Sequence, residues 1–524
     1  MNPGSMNPID LEIYWNRLIA ITDEAGAALK RTSFSTVVRE SNDFACVLLD
    51  TEARLVAQST LSIPGFIGTA PLSLKGMLKV FPKETLRPGD ILFTNDPWIG
   101  TGHLPDATMA APIFLRGKDG KPGKLVAFAI AVAHLSDIGG RQWSADAGEM
   151  YEEGIRFPVV KLAEEGRMNP WVMQMLEANV RLPQQVRGDI EAQMGALRVA
   201  DRRLAEMLDE YGLEGIDDIA AAIFHASEEA ALRELRQIPP GTYVGGVDSD
   251  GWDEPVRIRA TVTVTHDGVT VDYSGSTAQV RFGINETFNH TYAYTIYPFK
   301  CLLSPGIPNN DGFTRLFKVI APEGTIVNAR PPAAVGARHL IGHQLQAAVF
   351  EALAPVMPDR VQADSGTPLW SVLMRGVDAA KGTSFSTILF FNGGMGAMSR
   401  RDGPPASGFP ANISNTPVEI AETLAPVLFT AKRLDDGSGG AGAHRGGMGQ
   451  VVSFTSRWPG RLRVSLLTDR TRIPAKGIMG GEAGRTGHVL RNGKPVENPK
   501  GVVDLVEGDT LELALPGGGG YGRA

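Results

Sequence analysis

Two apolar runs, each fenced by the same tetrapeptide pattern, constrain this chain more than any other feature. ATMAAPIFL (107–115) follows His103-Leu-Pro-Asp106, and LVAFAIAVA (125–133) precedes His134-Leu-Ser-Asp137. Both runs are far too short to span a bilayer but suit a β-strand. The connection, RGKDGKPGK (116–124), is polar and carries Gly and Pro. The runs are therefore expected to fold back on each other as an antiparallel hairpin. Pairing Leu115 with Leu125 sets Asp106 opposite His134 and His103 opposite Asp137. Opposed Cβ atoms in such a ladder lie about 4.5–5.5 Å apart. Two imidazoles and one or two carboxylates would then meet at the open end of the ribbon. That donor mix suits Zn²⁺, Mn²⁺ or Fe²⁺ and would be odd for Ca²⁺ or Mg²⁺. A slip of one residue would turn a ligand away. Asp137 also reads as an outer partner that orients a histidine. Asp96, in Asn95-Asp96-Pro97, reads as a turn starter.

The chain has 524 residues, more than a single core sustains, so several packed units are expected. A composition of 43% apolar and 21% charged residues is ordinary for a globular protein. With a net charge of -7 and scattered Arg and Lys, nothing marks a nucleic-acid partner. No segment reads as a membrane span, and the N-terminus has neither the basic nor the long apolar region of a secretory signal. Only two cysteines are present, Cys46 and Cys301, each in an apolar setting, which reads as buried reduced thiols. The expected location is cytoplasmic.

The pattern along the chain implies a mixed α+β fold: antiparallel hairpins, a central helical segment and a Gly-rich β-type C-terminal region. Residues 1–168 are expected to form an α+β domain holding the metal site. They open with a helix over 10–31, started by Asp10, and continue with strands at DFACVLLD and RLVAQS. Residues 169–237 read as helical, with Gly212 closing the long repeat of Leu, Ile and Met at i, i+3, i+4. A β-rich domain follows over 238–330, then a mixed, Gly-rich domain over 331–524 with helices at HQLQAAVFEALAPV and PVEIAETLA. His339 and His343 share a helical face at i, i+4 spacing, but no HExxH glutamate accompanies them, so they read as core or interface residues.

The order NDFACVLLD, GDILFTNDPWIGTGHLPDATMAAPIF, AHLSDIGG, EEGIRFPVVKL, RLPQQVRGDIEAQ, DYSGSTAQVRFGIN, DDGSGGAGAHRGGMGQ and PGGGGYG resembles the hydantoinase B/oxoprolinase family over nearly the whole chain. The resemblance implies a divalent metal, Zn or Mn with Fe possible by donor type, held by His103, Asp106 and His134 and by Asp43 of the DFAC strand. It implies an ATP-dependent hydrolase acting on the C–N bond of a hydantoin, 5-oxoproline or lactam. ATP-Mg would be bound by a separate hydantoinase A-type subunit, in a hetero-oligomer such as a dimer of AB pairs. This chain has no GxxxxGK[ST] motif, and its GGGG run (517–520) has no helix behind it to form a phosphate loop. A general base is expected near the metal, with Asp137, Glu149 and Glu153 as candidates. Two other readings share the family signature: a subunit of a ketone carboxylase of the acetone or acetophenone type, and a non-catalytic scaffold for the ATPase. One departure stands out. Many relatives carry a PxHxG segment, where this chain has Pro64-Gly65-Phe66-Ile67-Gly68.

Overall fold

A computed structural model describes residues 6–116, 122–141, 143–367, 369–378 and 383–524. Strands β1 (Phe44–Leu49), β2 (Leu55–Gln58), β3 (Ile91–Thr94), β4 (Asp106–Arg116), β5 (Pro122–His134), β6 (Val160–Glu164) and β7 (Arg167–Met168) form one antiparallel sheet. Their order is β2-β1-β5-β4-β3-β6-β7. The expected ribbon is β4–β5, at the centre. Asp106 pairs with His134, and this register holds to Ile113–Ala127. Irregularities then shift it, so Leu125 faces Phe114 rather than Leu115. The strands also run further into the polar connection than expected, of which residues 117–121 lie outside the described chain.

The sheet is covered on both faces, which explains why its strands read as continuous apolar runs rather than alternating ones. Helix α1 (Pro8–Thr32) and helix α3 (Pro183–Tyr211) pack on the face carrying Cys46, Leu48, Met109 and Ala131. Helix α2 (Pro64–Val80) and helix α5 (Phe288–Leu303) cover the face carrying Val47, Phe128 and Ile130. Helix α4 (Asp217–Leu235) packs beside α1. The first helix starts earlier than Asp10: Asn7 caps it, its side chain accepting from the Ile9 N–H at 3.1 Å. Gly212, at φ 62°, ends α3 as read from the sequence.

Helices α2 and α5 escape the sequence reading because Pro71 and Pro298 lie inside them. Glycines let them touch. A Cβ at Gly68 would stand 2.6 Å from the Ala293 Cβ, and one at Gly65 2.8 Å from the Tyr294 ring. Phe66, midway along the Pro64–Gly68 segment, is buried in the core beside them.

Strands β8 (Gly241–Ser249), β9 (Val256–Val264), β10 (Val269–Asp272) and β11 (Phe317–Ile320) form a second sheet, with only β10–β11 parallel. Helix α6 (Leu345–Leu353) lies across it. Further along, strands β12 (Trp370–Asp378) and β13 (Thr383–Phe391) join β16 (Leu462–Leu467) and β19 (Val502–Leu505). The remaining strands, β14 (Val427–Leu434), β15 (Gln450–Ser456), β17 (His488–Arg491), β18 (Lys494–Pro495) and β20 (Thr510–Ala514), make the facing sheet. Trp370, Val372 and Leu389 of one meet Val452, Phe454 and Leu513 of the other, as in a β-sandwich.

The GGGG run is packed structure. Gly518 donates to Gly447 O and accepts from Gly440 N–H, while Gly519 donates to Asp364 O and Gly520 to Glu482 O. Backbones approach so closely that a Cβ at Gly518 would lie 2.1 Å from Met395 O. Gly518→Ala should therefore cost about 3 kcal/mol or more through forced backbone displacement. Gly195→Ala, in mid-α3 with nothing within 4 Å of the new carbon, should instead stabilise by roughly 0.5–1 kcal/mol. Denaturant midpoints of the two variants check both signs.

Candidate metal centre

The β4–β5 ladder ends at Asp106 and His134, one residue on each strand, and their side chains meet: Asp106 Oδ1 lies 3.2 Å from His134 Nδ1. His103 reaches the same oxygen from the preceding loop, with Nε2 at 2.8 Å. That loop is tightly specified. Asp96 is its turn former, accepting from the Trp98 N–H at 2.9 Å and pairing with Arg156. Asn95 donates to Leu104 O and Ile155 O. Gly102, at φ +102°, lies against Arg338, whose Cδ would sit 2.6 Å from a Cβ there. Asp43 stands just before β1, and its carbonyl accepts the His134 N–H at 3.2 Å. Its carboxylate Oδ2 is 3.9 Å from His134 Nδ1.

One donor atom each from His103, Asp106 and His134 lies within 4.8 Å of the others, and all three residues are buried. The hydrogen bonds settle the tautomers. His103 Nδ1 faces Gly336 O at 2.9 Å, and a carbonyl only accepts, so Nδ1 carries the proton. His134 Nδ1 faces the Asp106 carboxylate in the same way. Both Nε2 atoms are buried; that of His134 has no hydrogen-bond partner, and that of His103, a lone pair once Nδ1 holds the proton, faces only another acceptor, Asp106 Oδ1 at 2.8 Å. Two orphaned imidazole nitrogens beside an ionised oxygen are what a nitrogen-and-oxygen site for a divalent ion requires. The set fits the metal that the sequence implies.

The electrostatics agree. Burial, reinforced by Arg338, pushes His103 down to about 4, so it is neutral at ordinary pH. Burial alone would raise Asp106, but neighbouring positive charge and hydrogen bonds hold it well below the usual carboxylate range. Above pH 4, where His103 is neutral, the cation responsible is Arg338, whose Nη2 donates to Asp106 Oδ2 at 2.7 Å. Thr101 shares that oxygen through its hydroxyl. Asp43 is pushed up to about 7 by burial, partly offset by His134.

The three expected bases have other hydrogen-bond partners or face solvent. Asp137 does not pair with His103. Its carboxylate accepts from Gly139 N–H, from Arg181 N–H and from the Arg181 guanidinium. Glu149 is exposed. Glu153 is buried, its Oε1 accepting from Val335 N–H at 2.8 Å and Gly336 N–H at 2.6 Å.

Other groups pack around the cluster and were not legible as site residues. Trp143 packs over His134 at 4.7 Å and His103 at 6.0 Å between ring centroids. His339 flanks the other side of Trp143 at 5.1 Å, and both its ring nitrogens lack partners. His343 bonds the Tyr294 hydroxyl, and His290 bonds Glu286. Burial pushes the Cys46 thiol up to about 12 and the Cys301 thiol up to about 11, away from the thiolate form.

The hydantoinase B/oxoprolinase sequence pattern matches residues 7–524. The chain belongs to that family. A relative described as a putative B-type subunit of a D-/L-hydantoinase, from Pseudomonas sp. (strain NS671), is 30% identical over 99% of this chain and 90% of its own length. The crystal structure of ATP-dependent caprolactamase from Pseudomonas jessenii superimposes with a TM-score of 0.86 at 26% identity, over 99% of this chain and 92% of that one. The nucleotide-free structure of acetone carboxylase shares the fold at a TM-score of 0.87, with 18% identity, covering 99% of this chain and 76% of that one. That hydantoinase relative is itself named as a subunit. Among the described residues, no helix is long and apolar enough to cross a membrane.

Zinc or manganese added to chelator-stripped protein should bind at about one equivalent, and His103→Ala should abolish this by elemental analysis. Asp106→Ala is the poorer probe, because it leaves Arg338 buried and unpaired at a cost of about 3–5 kcal/mol. Asp106→Asn keeps the shape and should also lose the metal. A separate expectation concerns pH. Burial pushes Glu153 up from its ordinary 4.5 to about 8. Between those values the unfolded chain has released a proton that the folded chain retains, so this group makes stability fall as pH rises from about 4.5 to 8. Glu153→Gln should flatten that part of the thermal-stability profile measured between pH 5 and 9.

Proposed function

We propose that this chain is the metal-dependent B subunit of a two-component, ATP-dependent cyclic amidohydrolase. The observation that carries this reading is the pair of buried, unpartnered Nε2 atoms of His103 and His134 beside Asp106. We assign these three residues as ligands, with Asp43 as the fourth. The substrate class is the ring amide of a hydantoin, 5-oxoproline or lactam, and the family membership and the likeness to caprolactamase support it. The site lies in a cytoplasmic hetero-oligomer, such as a dimer of AB pairs.

Ring amides are poor electrophiles, and ATP-dependent activation of the carbonyl oxygen makes the ring carbon attackable. No Walker-type phosphate loop occurs in this sequence, so the activating phosphate comes from an A-type partner that holds ATP-Mg. A bound divalent ion supplies a water acidified toward neutrality or a polarised carbonyl. The chain's own residues prepare that chemistry. Arg338 keeps Asp106 ionised, and Gly336 O keeps the His103 lone pair on Nε2. Asp43, whose carbonyl accepts the His134 N–H, would complete the ligand set with its carboxylate. Trp143 and the buried surroundings exclude bulk water, which strengthens each of these interactions.

The test is co-expression with an A-type ATPase subunit and measurement of phosphate release against hydantoins, 5-oxoproline, lactams and ketones. Ring-opened product with matching phosphate supports the proposal, and His103→Ala should lower turnover at least 10³-fold while the complex still assembles. Phosphate release with ketone and bicarbonate alone would place the chain with the carboxylases. Normal turnover by His103→Ala and Asp106→Asn would leave only a scaffold role.

A further inference from the structure

Glu153 is 2% exposed, and its hydrogen bonds go to the backbone of residues 335 and 336 rather than to the three clustered residues. It lies just after the short 3-10 turn Met150–Glu152 and reaches across to a segment far away in sequence. Oε1 receives two backbone N–H bonds, from Val335 and Gly336, and Oε2 has no partner. The carbonyl of that same Gly336 accepts His103 Nδ1–H at 2.9 Å and Trp143 Nε1–H at 2.5 Å. One carboxyl therefore grips residue 336 by its N–H while the histidine and the indole grip it by its C=O.

The fit around this residue is close. A Cβ at Gly336 would lie 3.0 Å from Glu153 Oε1 and 3.1 Å from Ser144 O. A Cβ at Gly283, which pairs with Ala337, would lie 3.2 Å from the same Glu153 oxygen. Two residues further on, the chain turns through Arg338, whose N–H bonds Val335 O at 3.1 Å and whose guanidinium holds Asp106. The pinned segment thus sets the partners of both His103 and Asp106.

We propose that Glu153 is a positioning residue: through the backbone of Gly336 it fixes the tautomer and rotation of His103, so that Nε2 faces the metal. This rests on the reading of His103 as a ligand, and it replaces the expected role of Glu153 as a proton acceptor. Removal of the carboxyl strands two buried N–H groups and frees residue 336 to shift. The carbonyl then no longer defines which ring nitrogen of His103 carries the proton. Loss of such an outer hydrogen bond typically weakens metal binding 10–100-fold.

The experiment compares Glu153→Gln with Glu153→Ala in the full-length chain. Zinc affinity is measured by competition with a chelator, and the His103 ring by ¹⁵N resonances of histidine-labelled, metal-free protein, assigned with His103→Ala. Glutamine keeps an acceptor at Oε1, so Glu153→Gln should bind zinc within about threefold of wild type and keep the Nδ1–H tautomer. Glu153→Ala should bind 10–100-fold more weakly and lose it. If Glu153→Ala does not fold, Glu153→Asp, one methylene short of the two N–H groups, goes through the same measurements. Wild-type zinc affinity and an unchanged tautomer in the truncated variant overturn the proposal. So does a Glu153→Gln variant that keeps its zinc but loses turnover 10²-fold, since that is the mark of a base. If wild-type protein binds no zinc, the reading of the site fails, and the tautomer comparison still decides the part played by Glu153.

Discussion

The register of one strand pair governs the site. Asp106 and His134 are the last paired residues of β4 and β5, and side chains alternate along both strands. A shift by one residue would send the carboxylate and the imidazole to opposite faces. The ladder cannot slip, because both faces of the ribbon are buried under helices and every residue from Asp106 to Ile113 is enclosed. The packing of the sheet is thus what holds the geometry of the donors. The irregularities that shift the register lie at the far end, beyond Ile113, where they leave the donors undisturbed.

Around this pair the protein has solved a problem of buried charge. A lone aspartate with no exposed surface would be costly. Arg338 and Thr101 occupy one of its oxygens and leave the other toward the two imidazoles. A neutral His103 then adds a donor without adding charge. The arrangement explains why so many groups from residues 286–343 crowd one end of the ribbon. Gly336 and Arg338 are the two that bond the cluster directly, one through His103 and the other through Asp106.

The hairpin and its two histidines were legible because the signal is local: repeated tetrapeptides at the ends of two apolar runs. The assumed anchor, Leu115 with Leu125, was off by one, yet the pairing at Asp106 survived because the irregularity falls between. Helices α2 and α5 were illegible because Pro71 and Pro298 argue against a helix, while the glycines that invite their contact argue for a loop. Asn7, rather than Asp10, starts the first helix, a difference of less than one turn. Arg338, Trp143 and Glu286 were missed for a different reason. Each is an ordinary residue in its own stretch; Arg338 and Glu286 come from far along the chain, and Trp143, nine residues past His134, carries no metal-ligand signal. Asp137 shows the converse. Its local pattern matched that of Asp106, but the ladder ends before it and Arg181 captures it.

The indole of Trp143 touches both imidazole rings of the cluster on one side and His339 on the other, and its N–H is fixed on Gly336. The centre therefore carries its own chromophore in van der Waals contact with the groups that would change charge or orientation. An ion seated between those rings would alter the surroundings of this indole, one of seven in the chain, and so the near-ultraviolet absorption and emission of the protein, with no label attached.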